Sequence, residues 1–260
     1  MIEIDLLIKI IQAGIIKIVL LESIIVILAY VLIKKLLNNK IKNNRIQLIE
    51  RVNKKQINRE LKNAIFTLLI SFSFTCIVMY LNSFGYTQVY SDFSKYNIVW
   101  GIFSFLLLLI IDDTWFYWYH RFLHIPKVFK KIHFEHHKSF DVNPFSSLSF
   151  HFIEPLFLFF WMIPIIFIIP IYTPFLFFIQ TISILNNVKS HLGYEFFPRG
   201  WNKSMFGFVA SSTHHNMHHS KINGNYGAYF RIWDRFIGTE FPDYETIYDS
   251  IHNRMNEKKI

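Results

Sequence analysis

Apolar positions in this chain collect in long blocks, and charged positions collect between them. The blocks lie at 11–33, 64–81, 98–111, 152–169 and 172–188, and a helix needs roughly 20 apolar residues to cross a bilayer. The pattern therefore predicts five membrane-spanning helices. The first carries Lys17 and Glu22, each costly at the centre of a span. The second and fifth are uncharged, and the fourth holds only Glu154 near its start. The third runs on into an aromatic stretch, DDTWFYWYHRFLH, where Trp115, Tyr117, Trp118 and Tyr119 read as an interfacial belt. Pro170 and Pro174 bracket the short connection IPIYTP, which predicts a tight helical hairpin from the last two spans.

Charge orients these spans. The segment 34–62 holds ten basic residues and two acidic ones, a balance of +8 within a net charge of +9. A basic loop between two apolar spans is a topology signal rather than a nucleic-acid footprint, so no nucleic-acid partner is expected. With that loop in the cytoplasm, span two leads out, span three leads back, and the hairpin goes out and returns. Every histidine from His120 onward then lies at the cytoplasmic face. The N-terminus lacks the basic start and small-residue cleavage site of a signal peptide, so the first span is expected to stay. At 52% hydrophobic, the composition only slightly exceeds the 45–50% of soluble domains, so patterning decides the class. The single cysteine, Cys76, excludes an internal disulfide and multi-thiolate metal sites and reads as a small buried apolar residue.

Eleven of the twelve histidines fall between His120 and His219, and His252 is expected on the surface. HRFLH spaces His120 and His124 by four. HFEHH sets His133, His136 and His137 at i, i+3, i+4, and HNMHH repeats that spacing in His215, His218 and His219. On a helix such positions share a face about 5–6 Å apart, as two ligands of one metal must. Packing alone does not account for eight clustered imidazoles, because each buried ring nitrogen needs a partner. A pH sensor would not require repeated helical spacing. One zinc site closes at about four ligands, so eight histidines, with His191 and His214 in reserve, fit two metals. Imidazole suits Zn, Cu, Fe and Ni alike. Asp113, about two turns before His120 on the same face, is placed to orient a histidine from another segment. Asp234, in RIWDRFIGT, is a second such candidate, with Arg231 or Arg235 as partner.

These boxes, in order, with SSTHHNMHH followed by NYGAYFRIWDRFIGT, closely resemble the fatty acid hydroxylase and sterol desaturase superfamily over about residues 100–240. The resemblance implies an all-α integral membrane bundle with a histidine-rich cytoplasmic cap over a dimetal site. It implies two non-haem irons, with zinc as a possible substitute, that use O2 and external electrons to hydroxylate or desaturate a lipid. Carried over, the ligands are His120, His124, His133, His136, His137, His215, His218 and His219, joined by His191 and His214. His151, in SFHFIEP, is expected to support the site without ligating. The tail motif is expected to fold back over the metals, with turns at Asn225, Gly227 and Gly238.

Three regions follow: membrane spans and basic loop over 1–95, a catalytic domain over 96–242, and a tail over 243–260. The electron donor is expected to be a separate cytochrome b5-like protein, ferredoxin or reductase, and the substrate a bilayer lipid. Lys127, Lys130, Lys131 and Lys138 flank the boxes and can meet anionic headgroups or an acidic electron carrier. Asn, Lys and Ile richness points to a bacterial inner membrane rather than the endoplasmic reticulum, and the terminal EKKI is a near miss to a dilysine retrieval signal. The rival reading is a non-enzymatic membrane metal-binding protein.

Overall fold

The computed structural model describes residues 2–16, 21–37 and 41–256. Lys17, Lys40 and the terminal EKKI lie outside the described residues. The chain is mainly helical. Among the described residues, three apolar helical stretches are long enough to cross a membrane: Ile4–Lys35, Lys54–Ser83 and Ile98–Leu123. The first includes α1 (Ile2–Ile16) over most of its length and α2 (Ile24–Val31); the others are α3 (Lys54–Ser83) and α4 (Ile98–Leu123). Asn53 and Asn97 start α3 and α4 by accepting bonds from Gln56 N and Trp100 N, which satisfies donors the first helical turn leaves free. Gly14 lets α1 approach α3, since a Cβ there would lie 2.8 Å from the Phe72 ring. Half-buried Cys76 packs at the same contact, 3.2 Å from that position.

The expected hairpin is present, but neither arm is among the stretches long and apolar enough to cross a membrane, so the five expected spans are three among the described residues. The first arm is two seven-residue helices, α7 (Glu154–Phe160) and α8 (Met162–Ile168). At 1.5 Å per residue it extends about 22 Å, short of a hydrocarbon core of about 30 Å. The break has a local cause: Pro164 has no N–H to give to the Phe160 carbonyl, and its ring crowds that carbonyl. The second arm, α9 (Thr173–Ser190), has 18 residues. Leu108 of α4 packs with Trp161, Met162, Ile166, Ile171 and Ile179, fixing the hairpin to the bundle.

Two ends of the bundle are chemically distinct. At one, β1 (Val89–Tyr90) pairs in parallel with β2 (Ile171–Tyr172), and Gln88 N donates to Ile166 O at 2.8 Å. The loop after α3 and the hairpin turn therefore sit together. At the other, the basic segment docks on the histidine-bearing loops. Arg45 is buried against Asp141 at 2.5 Å, Ile46 N donates to Gly193 O, and Glu195 N donates to Asn44 O.

That second end carries α5 (Pro126–Val128), a π-helical turn Phe129–His133, and α6 (Phe134–His137). It also carries α10 (Ser212–Lys221), α11 (Ile232–Ile237) and α12 (Tyr244–Asn256). His252, expected on the surface, is 5% exposed, because α12 turns that face inward beside Tyr248. The aromatic belt also needs correction: Tyr117 is fully buried and stacks on Trp233 at 5.8 Å, whereas Trp118 is exposed.

Candidate metal centre

Nine histidines converge in two adjoining groups. His120, His124, His133, His137 and His218 form one, and His136, His191, His215 and His219 form the other. Within each group one nitrogen per ring lies within 4.8 Å of all the others, and every ring is buried. Helical spacing explains the split. His133 and His137 fall on one side of α6 and its preceding turn while His136 faces the other, and α10 divides His218 from His215 and His219 in the same way.

The nitrogens are oriented in two layers. The outward Nδ1 of His120 donates to Tyr226 O at 2.9 Å, that of His136 to Ser149 O at 3.1 Å, that of His191 to Asn187 O at 2.8 Å, and that of His218 to Gly224 O at 2.7 Å. A carbonyl only accepts, so these Nδ1 atoms carry the proton and leave Nε2 with a lone pair. His133 Nδ1 meets a carboxylate instead, Glu154 Oε1 at 2.9 Å. The inward Nε2 atoms crowd together: His120 to His133 at 3.0 Å, His136 to His191 at 3.4 Å, His191 to His215 at 3.2 Å, and His215 to His219 at 3.2 Å.

Two ligands each about 2.1 Å from one metal, at right-angled to tetrahedral spread, lie about 3.0–3.4 Å apart. Both nitrogens of His124 and of His137, and Nε2 of His218, are buried without a hydrogen-bond partner. Such nitrogens are costly unless something binds them, so the donor set fits metal ions. Burial also holds the rings neutral, as ligation requires. It pushes His191 down to about 4, and His133, His136, His137, His215, His218 and His219 well below the usual imidazole range.

His214 is brought to neither group. It is fully buried on α10, but the helix turns about 100° per residue, so its ring faces away from that of His215. Its Nε2 lies 3.4 Å from Asp234 Oδ2 and its ring 5.6 Å from that of Tyr244. His151 also lies outside both groups; its Nδ1 accepts from Ile153 N at 3.4 Å.

The two aspartates act through backbone rather than on a ring of either group. Asp113 accepts from Tyr229 N at 3.0 Å and Phe230 N at 3.2 Å. Asp234 accepts from Tyr226 N at 2.8 Å and Gly227 N at 2.7 Å; the expected arginine partners bind Glu240 instead. Together they grip the segment whose Tyr226 carbonyl holds His120. Gly227 is needed there, since a Cβ would lie 2.3 Å from Phe230 O and 3.0 Å from Asp234 Oδ2. Asn225, at φ 55°, ties the segment down by donating to His214 O and accepting from Phe241 N, both at 2.9 Å. Glu154 is the site residue that motif spacing missed. Its signal was a lone carboxylate at the edge of an apolar block.

A small cavity touches both groups, lined by His120 and His133 on one side and His136, His191 and His215 on the other. Phe116, Phe150, Leu158 and Asn187 separate it from a larger cavity that His215 also reaches.

Fold and site together define a helical membrane protein with buried histidine clusters able to hold metal ions. A family model described as fatty acid hydroxylase matches residues 105–239, just over half of the chain. The chain belongs to the fatty acid hydroxylase family. It is 25% identical over 224 residues to a Delta(7)-sterol 5(6)-desaturase of Gibberella zeae, covering 84% of this chain and 67% of that protein. Human lathosterol oxidase is 30% identical over 194 residues, covering 72% and 62% respectively. A methylsterol monooxygenase of Aspergillus fumigatus is 31% identical over 154 residues, covering 55% and 50%. The matched stretch spans about half to two thirds of these relatives' length. No solved structure matches the chain.

Proposed function

We propose that the chain is a membrane-bound di-iron oxygenase that hydroxylates a lipid C–H bond with O2 and electrons from a separate protein. The observation that carries this reading is the pair of adjoining groups, five and four imidazoles, opening on one cavity. Iron bound there would supply what side chains lack, an oxidant able to break an unactivated C–H bond. Each Nδ1 donor bond fixes a ring so that Nε2 faces inward, and Glu154 strengthens His133 as a donor. The aromatic wall of Phe116 and Phe150 keeps the reacting end dry. The basic segment docked at the histidine end supports a cytoplasmic face for it under the positive-inside rule, within reach of a soluble or membrane-bound reductant.

Desaturation is the second reading, favoured by the name of the Gibberella zeae relative. It needs the same metals and ends without oxygen transfer. Purification without oxygen, metal analysis, and turnover of membrane lipids under labelled O2 separate the readings. About two irons per chain with label in the product supports hydroxylation; two irons with a new double bond and no label supports desaturation. Stable zinc with no O2 consumption under reduction sinks both and leaves a metal-binding protein.

A further inference from the structure

The outer side of α4 carries one apolar stripe. Ile102, Leu106, Ile110, Trp118 and Phe122 are all exposed, and residues four apart on a helix are neighbours on one face. The helix is long and apolar enough to cross a membrane, and this stripe is the side it turns to lipid. Thr114 breaks the series, and α11 is the reason. Trp233 Nε1 donates to Thr114 Oγ1 at 3.2 Å, and the Trp233 ring lies 5.7 Å from that of Trp118. The short helix α11 is therefore laid across the lipid-facing side of α4.

Its depth follows from α4. Thr114 comes nine residues before α4 ends at Leu123, about 14 Å of helix, so α11 lies beside the span and not beyond it. Counted from Ile98, a hydrocarbon core of about 30 Å takes up about 20 residues and ends near Trp118. Tryptophan is enriched at that level, and the Arg121 guanidinium sits over the Trp118 ring at 5.6 Å. The outer face of α11 is apolar. Ile232 and Phe236, one turn apart, are exposed, Phe236 at 80%. The turn before Val209 adds Met205, exposed at 81%, with Phe206 and Phe208. Phe208 O accepts from Arg231 N at 2.7 Å, which ties that turn to the start of α11. An apolar surface of this kind facing water would forgo its transfer free energy, and such surfaces mark interaction sites.

We infer that α11 and the turn 205–208 are sunk into the membrane leaflet at the histidine end, with Phe236, Ile232, Met205 and Phe206 at the boundary of headgroups and acyl chains. The occupant of this surface is the bilayer, because the surface continues the stripe by which α4 meets lipid and sits at the level of Trp118. The consequence reaches the metal centre. Asp234, on the inner face of α11, accepts from Tyr226 N and Gly227 N, and Tyr226 O holds His120. The leaflet thus seats the helix that positions a histidine. The inference concerns where α11 lies and is independent of the reaction.

Two measurements on the full chain in lipid nanodiscs test it. In the first, a nitroxide is attached to Phe236→Cys or Met205→Cys in a Cys76→Ala background. Ile110→Cys on α4 and Glu245→Cys on α12, both at exposed positions, serve as the lipid-facing and water-facing references. Power saturation reads collisions with O2, which concentrates in lipid, and with a water-soluble nickel chelate. The ratio of O2 to nickel collisions at Phe236 and Met205 should be about threefold or more above that at Glu245, and approach that at Ile110. A ratio equal to that at Glu245 means that the surface faces water and overturns the inference. Shielding from both reagents means that a protein partner or a second copy covers it, and overturns the inference as well. The second measurement needs no substitution and decides if the variants misfold: hydroxyl-radical oxidation of the unaltered chain, read by mass spectrometry. Met205 should be oxidised about fivefold or more slowly than in the denatured chain, because lipid keeps the radical away. Oxidation of Met205 at the denatured rate overturns the inference.

Discussion

The two groups of imidazoles are built from the same boxes but face different surroundings. His120, His124, His133, His137 and His218 lie under Phe129, whose ring sits 5.1 Å from that of His124 and 5.2 Å from that of His137. Lys127, Lys130 and Lys131, which flank that phenylalanine in sequence, are exposed. This group has five imidazoles and the one carboxylate partner, Glu154. The other group has four, of which His136 and His191 donate to the Ser149 and Asn187 carbonyls, and its His215 reaches the larger cavity. The difference teaches a division of labour under the proposed function. On that reading the five-imidazole group would offer a metal more nitrogen ligands, and the four-imidazole group would leave a metal more room on the side of the larger cavity.

The largest expected effect comes from removing one ligand of each group. His218→Ala and His215→Ala should each abolish turnover, lower iron from about two per chain toward one, and leave membrane insertion intact. Metal analysis beside product assay checks this. Full turnover in either variant removes that histidine from the ligand set, and loss of both irons from one substitution would show that the groups do not bind independently.

Next in size is the contrast between a partner that touches a ring and one that works through backbone. Glu154→Gln should cost on the order of 10–100-fold in iron affinity or turnover, as expected for the outer partner of a ligating imidazole. Asp113→Asn should fall at the mild end of that range, about tenfold, because Asp113 reaches His120 only through the segment 226–230. Iron titration of both variants decides. An Asp113 effect exceeding that of Glu154 would mean the tail segment, not the acid–imidazole pair, sets the site.

Box spacing made eight of the nine converging histidines legible, because i, i+3, i+4 is a geometric statement about one helix. His191 stands alone in SHLGYE, so helical spacing gave it no box to share, and it entered only as a reserve ligand until the family resemblance included it. The outward partners were mostly unreadable for a physical reason: Tyr226, Gly224, Ser149 and Asn187 contribute backbone carbonyls, which no side-chain identity encodes. The hairpin arm was misjudged in length because hydropathy counts apolar residues and does not register that Pro164 interrupts the helix. Glu22, which weakened the first span as a membrane segment, is buried and accepts from Ser71 Oγ at 2.8 Å.

A smaller effect is expected from pH on metal-free protein. Burial holds the group imidazoles below their ordinary value, so the fold excludes protons that the unfolded chain takes up below about pH 6.5. Stability is therefore full above that pH and falls as the medium is acidified, through the window that ends near pH 4 for His191. Each extra proton bound by the unfolded chain costs about 1.4 kcal/mol per pH unit. Thermal midpoints of chelated protein at pH 8 and pH 5.5 should differ clearly, with bound metal restoring the loss. A flat profile would mean that the empty groups open to water.

The smallest effect tests the edge of the comparison, at His214. It shares a box with His215, is as deeply buried, and sits within one residue of a proposed ligand, so spacing alone cannot exclude it. The structure turns it toward Asp234 and Tyr244 instead. His214→Gln keeps a polar group near Asp234 and should retain two irons per chain. The cost should be confined to folding, about 1–3 kcal/mol for a disturbed buried polar contact. Iron content and a denaturation midpoint, measured together, separate the two roles. Loss of an iron at unchanged stability would make His214 a ligand and extend the four-imidazole group to five, which would erase the asymmetry on which the division of labour rests.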